Sequence, residues 1–466
     1  MSQLADPRSS GAPSPDSDTG AGSGVVEPTL PVIRPGAGRI AALGFGTAVA
    51  MWAVAYVAFM GPGLIAGELL FGVMLIALFA GGFLAGRTGT GTDGFRVGAV
   101  AAAVNMLLVG SLFGGKDAIE LGTAGMWVGG LWITSLVLAG AGGFFGARRA
   151  VPTVRSWPGV FALVAAGTVF LLLITGGLVT GLEAGLAVPD WPNSFGHNML
   201  LYPLSEMKGG VYYEHAHRLY GMLVGLTTIT LVYVVWRSDR RRWVKWIAVA
   251  ALAMVCIQGL MGGLRVTGRL TLSAESSELA PSIALAIVHG VFGQVVFATL
   301  ALLAAFTSTA WTTGPGPAPS AAAKGDRTTT VILVVAIVLQ LVLGACYRHL
   351  QTTESQPMWA LHGHLTVAAL VATMALVVGL RAWGTHGESP VMRRLGLALV
   401  ALTGFQIVLG IAALAAVLLR SGPRIPVYEV VLTSAHQATG ALVLATGALC
   451  AVWVRRLFVP APGSAA

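Results

Sequence analysis

The stretch Tyr212–Arg218, YYEHAHR, sets a carboxylate, two imidazoles and a guanidinium at the head of the apolar run LYGMLVGLTTITLVYVVW. Imidazole can ligate a metal, carboxylate can move a proton, and guanidinium can hold an anion. Ionisable groups at membrane depth are costly and mark sites by default. The pattern recurs. Glu214–Gly221 reads EHAHRLYG and Leu361–Ala368 reads LHGHLTVA, each placing His-x-His at the start of an apolar helix. Two spans after each comes a helix with a lone histidine, IVHGVFG around His289 and SAHQATG around His436; His217 to His289 and His364 to His436 are both 72 residues apart.

One histidine in a membrane helix is commonly a hydrogen-bonded structural residue. Four of them, in two equally spaced pairs, are most economically read as axial ligands to haem iron inside four-helix bundles. Zinc or copper would gather more ligands within a few residues, and neither a thiolate nor a carboxylate set occurs in both copies. Four residues after each histidine stands a small residue (Gly221, Gly293, Ala368, Gly440), leaving room for a planar macrocycle on the same helix face; close helix approach explains these residues equally well. His215 and His362 lie about 200° round their helices from His217 and His364 and are read as packing or interfacial residues. His197, His349 and His386 fall in loops and carry little weight.

The copies match in histidines and differ in charge. Glu214 shares a helix face with His217 and with Arg218, whereas the second copy has Leu361 and Leu365 in those places. A site that only passes electrons needs ligands alone; a reacting site also needs a group that moves protons or holds water. An interfacial Glu214–Arg218 ion pair is the structural alternative.

Twelve apolar runs must position these groups, near 40–60, 64–86, 95–114, 123–146, 159–182, 215–236, 244–264, 281–306, 329–347, 359–380, 395–419 and 430–454. With 466 residues, 55% apolar and 10% charged, and a mean hydropathy of +0.79, the chain is an all-α polytopic membrane protein. Its net charge of +9 clusters in alternate loops. That is an orienting bias, so it gives no sign of nucleic acid and predicts both termini in the cytoplasm. Cys256, Cys346 and Cys450 form no CxxC motif, which indicates neither zinc nor a disulfide framework. Residues 1–37 are read as a disordered cytoplasmic tail, 38–147 as a four-helix extension of unknown role, 155–310 as a first histidine-bearing bundle, 311–328 as a cytoplasmic linker and 329–458 as a second bundle. Four is even, so the duplicated bundles insert in the same direction, about an axis along the membrane normal.

The chain resembles the haem A synthase family (CtaA type) at GGLVT (176–180), GLAVPDWP (185–192), EHAHR (214–218), IQGLMGG (257–263) and the His289, His364 and His436 helices, over about 159–456. The resemblance implies two pseudo-symmetric four-helix bundles and oxidation of the C8 methyl of haem O to a formyl group, giving haem A for cytochrome oxidase. It implies that His217 and His289 hold the substrate haem, that Glu214 and Arg218 are catalytic, and that His364 and His436 ligate a permanent haem b. Membrane lipid, haem O synthase and oxidase assembly factors are the partners implied, in a bacterial plasma membrane. Two departures stand out. The first outer loop, roughly Glu183–Tyr213, lacks the cysteine pair of some members; its Trp191, Phe195 and Tyr202 are read instead as apolar cover over a haem edge. The extension carries no histidine and few intramembrane polar residues, Glu68 and Asn105. The rivals are a di-haem b-type cytochrome acting only in electron transfer, and a transporter built from parallel repeats.

Overall fold

The computed structural model describes residues 32–60, 66–113, 121–151, 156–267, 283–350, 357–422 and 424–461. Among them, twelve helices are long and apolar enough to cross a membrane. Lipid offers the backbone no water, so a chain this apolar satisfies its amides inside helices.

The helices fall into three sets of four. The first is α1 (Arg39–Met60), α2 (Gly67–Arg87), α3 (Asp93–Phe113) and α4 (Leu121–Ala147). The second is α5 (Trp157–Gly181), α6 (Gly210–Ser238), α7 (Arg242–Thr267) and α8 (Ile283–Phe306). A short α9 (Thr309–Thr313) leads to the third, α10 (Ala323–His349), α11 (Met358–Gly384), α12 (Pro390–Leu418) and α13 (Val427–Leu457). In the second set each helix packs on its chain neighbours and α8 closes on α5; in the third α13 closes on α10 in the same way. The two rings meet through α5–α13, α8–α10 and α8–α13, a pattern unchanged when the rings are exchanged. Most of the apolar length of α13 is buried, which makes it the central helix of the protein.

Helix packing in lipid relies on close approach at small residues. In the first set, a Cβ on Gly82 would strike the Ala139 carbonyl and one on Gly86 that of Gly143, so α2 and α4 lie backbone to backbone. This set docks on the second through α1. Phe45 meets Phe161 at 5.4 Å, Trp52 meets Tyr220 edge-on at 5.5 Å, and Tyr212 donates its hydroxyl to the Tyr56 carbonyl at 2.6 Å. Asn105, one of the two polar residues singled out in the extension, accepts from Trp52 Nε1 at 3.0 Å; the other, Glu68, is exposed in the first turn of α2.

Two boundaries differ from the sequence reading. Of the tail read as 1–37, residues 1–31 lie outside the described residues, but 32–37 are pinned to the turn after α6: Arg34 N donates to Ser238 O and Arg240 N to Val32 O, both at 3.0 Å. A helix end leaves carbonyls without intrahelical partners, and here the tail satisfies one. The linker read as 311–328 contains strand β3 (Ala318–Ser320), which pairs in parallel with the C-terminal β4 (Phe458–Pro460), and the start of α10 at Ala323. Asp326 in that first turn suits the positive end of the helix dipole. It accepts from Arg381 Nε and pairs with His386 Nε2, each at 2.7 Å. His386 is therefore a buried structural residue, stacked on Phe458 at 4.1 Å.

Candidate functional site

His217, His289, His364 and His436 stand six to nine residues after the first residue of α6, α8, α11 and α13. That is about 9–14 Å of rise from the face that carries loop 182–209, called the loop face below. Helices α6 and α8 occupy opposite corners of their ring, as do α11 and α13. Each histidine thus faces its partner across a bundle interior.

Each imidazole also lies over a glycine of the helix before its own. A Cβ at Gly176 would come within 3.0 Å of His217 Cε1, at Gly262 within 3.5 Å of His289, at Gly344 within 2.9 Å of His364 and at Gly410 within 2.9 Å of His436. Three of these glycines follow a glutamine by four residues, in QGLMG, QLVLG and QIVLG. Gln340 Nε2 lies 3.2 Å from His364 Nε2, Gln406 Nε2 3.4 Å from His436 Nε2, and Gln258 Nε2 donates to the His289 carbonyl at 3.0 Å. At the fourth position Thr175 replaces the amide, with its hydroxyl 3.0 Å from His217 Nδ1. Gly176 and Gly262 fall in the GGLVT and IQGLMGG motifs noted above, but no glycine was matched to an imidazole from the sequence; the repeated Gln-x-x-x-Gly was the available signal. Of the small residues four after each histidine, Gly293 and Gly440 face Gln258 and Gln406, and Gly221 faces open space.

The donor set fits iron held between imidazoles. The ring centres of His364 and His436 are 6.3 Å apart; two imidazoles sharing one metal at about 2 Å bonds need roughly 6 Å between ring centres. His364 Nδ1 lies 3.2 Å from the Gln340 carbonyl, the contact that commits Nδ1 as donor and leaves the Nε2 lone pair as the one a metal would take. His217 and His289 lie within electrostatic range of each other.

Above His217, Glu214 is 4% exposed. Its Oε2 accepts from Val188 N at 2.8 Å and its Oε1 from Arg218 Nη2 at 2.7 Å. Arg218 also donates to the carbonyls of Val188, Asp190 and Asn193, so four of its five donors are used. The pair fastens the GLAVPDWP loop over the end of the first bundle. Trp191 of this loop lies on Gly263 of α7. Phe195 and Tyr202 sit elsewhere: Asp190 accepts from Phe195 N and Gly196 N, turning the hairpin β1 (Asn193–Ser194)–β2 (His197–Asn198) so that Tyr202 packs 4.9 Å from His215. They cover the His215 side of α6, away from His217. His215 itself is fully buried, 3.1 Å from Ser194 Oγ, while His362 is exposed.

Charge at the second bundle departs from the sequence reading, which gave that bundle no acid near its histidines. Glu429, two turns before His436 on the same face, is fully buried with Arg420 3.6 Å away. It lies seven residues before His436, outside the three- and four-residue spacings compared between the copies. Two further basic groups gather at the loop face: Arg348, which donates to Thr180 O at 3.3 Å, and Arg265, whose Nε is buried without a partner among the described residues. His349, assigned to a loop from sequence, ends α10 and lies within electrostatic range of Arg265, Arg348 and His289.

Fold and site together define a membrane protein of duplicated four-helix bundles, each with paired imidazoles near one face. Residues 159–448 match the family model described as COX15-CtaA, cytochrome oxidase assembly protein. The chain belongs to this family, that of the haem A synthases. It is 26% identical to the haem A synthase of Rhodospirillum centenum over 70% of this chain and 94% of that protein. It is 30% identical to human haem A synthase COX15 over 26% of this chain and 36% of that protein. With the Listeria monocytogenes haem A synthase it shares 27% identity over 35% of this chain and 48% of that protein.

Proposed function

We propose that this protein oxidises the C8 methyl of haem O to a formyl group, with the substrate held in the first bundle by His217 and His289. The observation that carries this reading is Glu214, three residues from His217, in a bundle whose twin has Leu361 in that place. Two successive hydroxylations, each adding the oxygen of one water and passing two electrons and two protons to an external acceptor, convert the methyl to a hydroxymethyl and then a gem-diol, which loses water to the aldehyde. Each Glu214 oxygen keeps a second lone pair beyond its present bond, available to orient or deprotonate a hydroxyl at that carbon. Arg218 holds the carboxylate and the loop in place, and the loop excludes water. His364 and His436 would hold a haem b, which supplies one-electron transfer when bound. The first helix set props α6 and the loop: Trp52 and Tyr56 back Tyr220 and Tyr212, and Ser111 reaches the Leu200 carbonyl.

The basic clusters in alternate loops support cytoplasmic termini, and the Ala- and Gly-rich helices favour a bacterial plasma membrane. Haem O synthase and oxidase assembly factors are the partners this reading implies. The experiment is expression of the full chain in cells that make haem O, with extraction and mass analysis of its tetrapyrroles. Formation of haem A, lost in Glu214→Gln, supports the reading; haem O left unchanged by the wild type rejects it. A di-haem b cytochrome is the second reading, favoured by the engagement of both Glu214 oxygens in fastening the loop. It requires haem b alone in the extract.

A further inference from the structure

Burying a guanidinium, which cannot shed its proton, requires a counter-charge or a full set of acceptors. Around the loop face, Arg218 has Glu214 at 2.7 Å and Arg420 has Glu429 at 3.6 Å. Arg265 stands apart. Partly buried, it makes no ion pair among the described residues, and its Nε alone is buried without a hydrogen-bond partner. Its terminal nitrogens lie against Gly185, where a Cβ would come within 3.2 Å of both. Among the described residues Glu214 is the acid within its electrostatic range, and both oxygens of that acid already serve Val188 and Arg218.

The position of Arg265 bears on which anion would pair with it. It follows Gly262 by three residues on α7, so it shares the face that meets the His289 ring and sits about 4.5 Å nearer the loop face. Haem-type tetrapyrroles carry two propionate carboxylates on one edge. A ring held between His217 and His289 with that edge toward the loop brings a carboxylate to this guanidinium, and planar carboxylate matches the guanidinium fork.

We infer that Arg265 is the carboxylate anchor of the first-bundle tetrapyrrole, and that it fixes which edge of the ring faces the loop. The inference rests on His217 and His289 holding that ring. Arg218, by contrast, is occupied by loop carbonyls.

The test titrates full-length protein in detergent, stripped of tetrapyrrole, with iron protoporphyrin IX and with its dimethyl ester. The first-bundle site is identified as the one lost in His217→Ala. Wild type should bind the diacid more tightly than the ester by about tenfold or more, the size of a charge-assisted hydrogen bond. In Arg265→Leu that ratio should fall to about one, and Arg265→Lys should retain part of it. Weakening of both ligands with the ratio unchanged would show a purely structural residue and overturn the inference. So would an undiminished ratio, or loss of a bound anionic lipid from Arg265→Leu with no change in the ratio. Absence of any His217-dependent site would overturn the underlying reading instead, and this inference with it.

Discussion

Thr175 Oγ1 lies 3.0 Å from His217 Nδ1, so His217 is steadied by a hydroxyl where His364 and His436 have glutamine amides beside Nε2 at 3.2 and 3.4 Å. The equivalent of Gln340 in α5, four residues before the glycine, is Leu172. On the Nδ1 side the two bundles are alike: Thr175 serves His217 and the Gln340 carbonyl serves His364 at 3.2 Å, while His289 and His436 have no Nδ1 partner among the described residues.

Thr175→Val keeps the volume and removes the partner of Nδ1. Loss of such a supporting contact costs about 10–100-fold in ligand affinity. Tetrapyrrole titration should show that loss at the first site and leave the second unchanged; equal loss at both would mean the hydroxyl only packs the bundle.

Glu214→Gln preserves the side-chain shape and an oxygen to accept from Val188 N. Tetrapyrrole binding should persist, while turnover falls by about 10²–10⁴, the range for a lost general base. Chromatography of extracted haems should show haem O or its hydroxymethyl form accumulating. Undiminished haem A would remove Glu214 from the chemistry.

Gly410→Val forces a branched side chain against His436 Cε1, which already stands 2.9 Å from where a Cβ would lie; carbon atoms prefer about 3.5–4.0 Å. The ring must swing away, and the visible spectrum should lose the second site alone. Gly259→Val, with open space at its Cβ, should retain both.

Trp52→Ala removes a side chain that is 2% exposed and joins Asn105 to Tyr220, three residues past His217. A large-to-small change at such a site costs about 3–5 kcal/mol. Thermal unfolding in detergent should shift down, and the first-site tetrapyrrole should loosen with it. A shift in melting without any change in binding would confine the first helix set to stability.

Much of this was legible in the chain. The apolar runs gave all twelve spans, since lipid leaves helices as the only solution for such segments, and the duplicated 72-residue interval placed four histidines at one depth. Glu214–Arg218 was visible as an i, i+4 pair. The unseen features lie in contacts between helices. Which glycine sits under which imidazole depends on how neighbouring helices cross, which periodicity within one helix does not encode. Glu429 and Arg265 gain their meaning from burial and from the lack of hydrogen-bond partners, which the sequence does not show, and His386 finds Asp326 across 60 residues. The turn of Phe195 and Tyr202 toward His215 follows from Asp190 capping their hairpin, a loop contact with no periodic signature.

The most direct measurement is the number of tetrapyrroles per chain in the purified protein and in His217→Ala and His364→Ala, by iron analysis and visible spectrum. Two per chain in the wild type, with each variant losing a different one, is the expected result. A protein free of tetrapyrrole, or two variants losing the same one, would contradict paired imidazoles as the organising feature of both bundles.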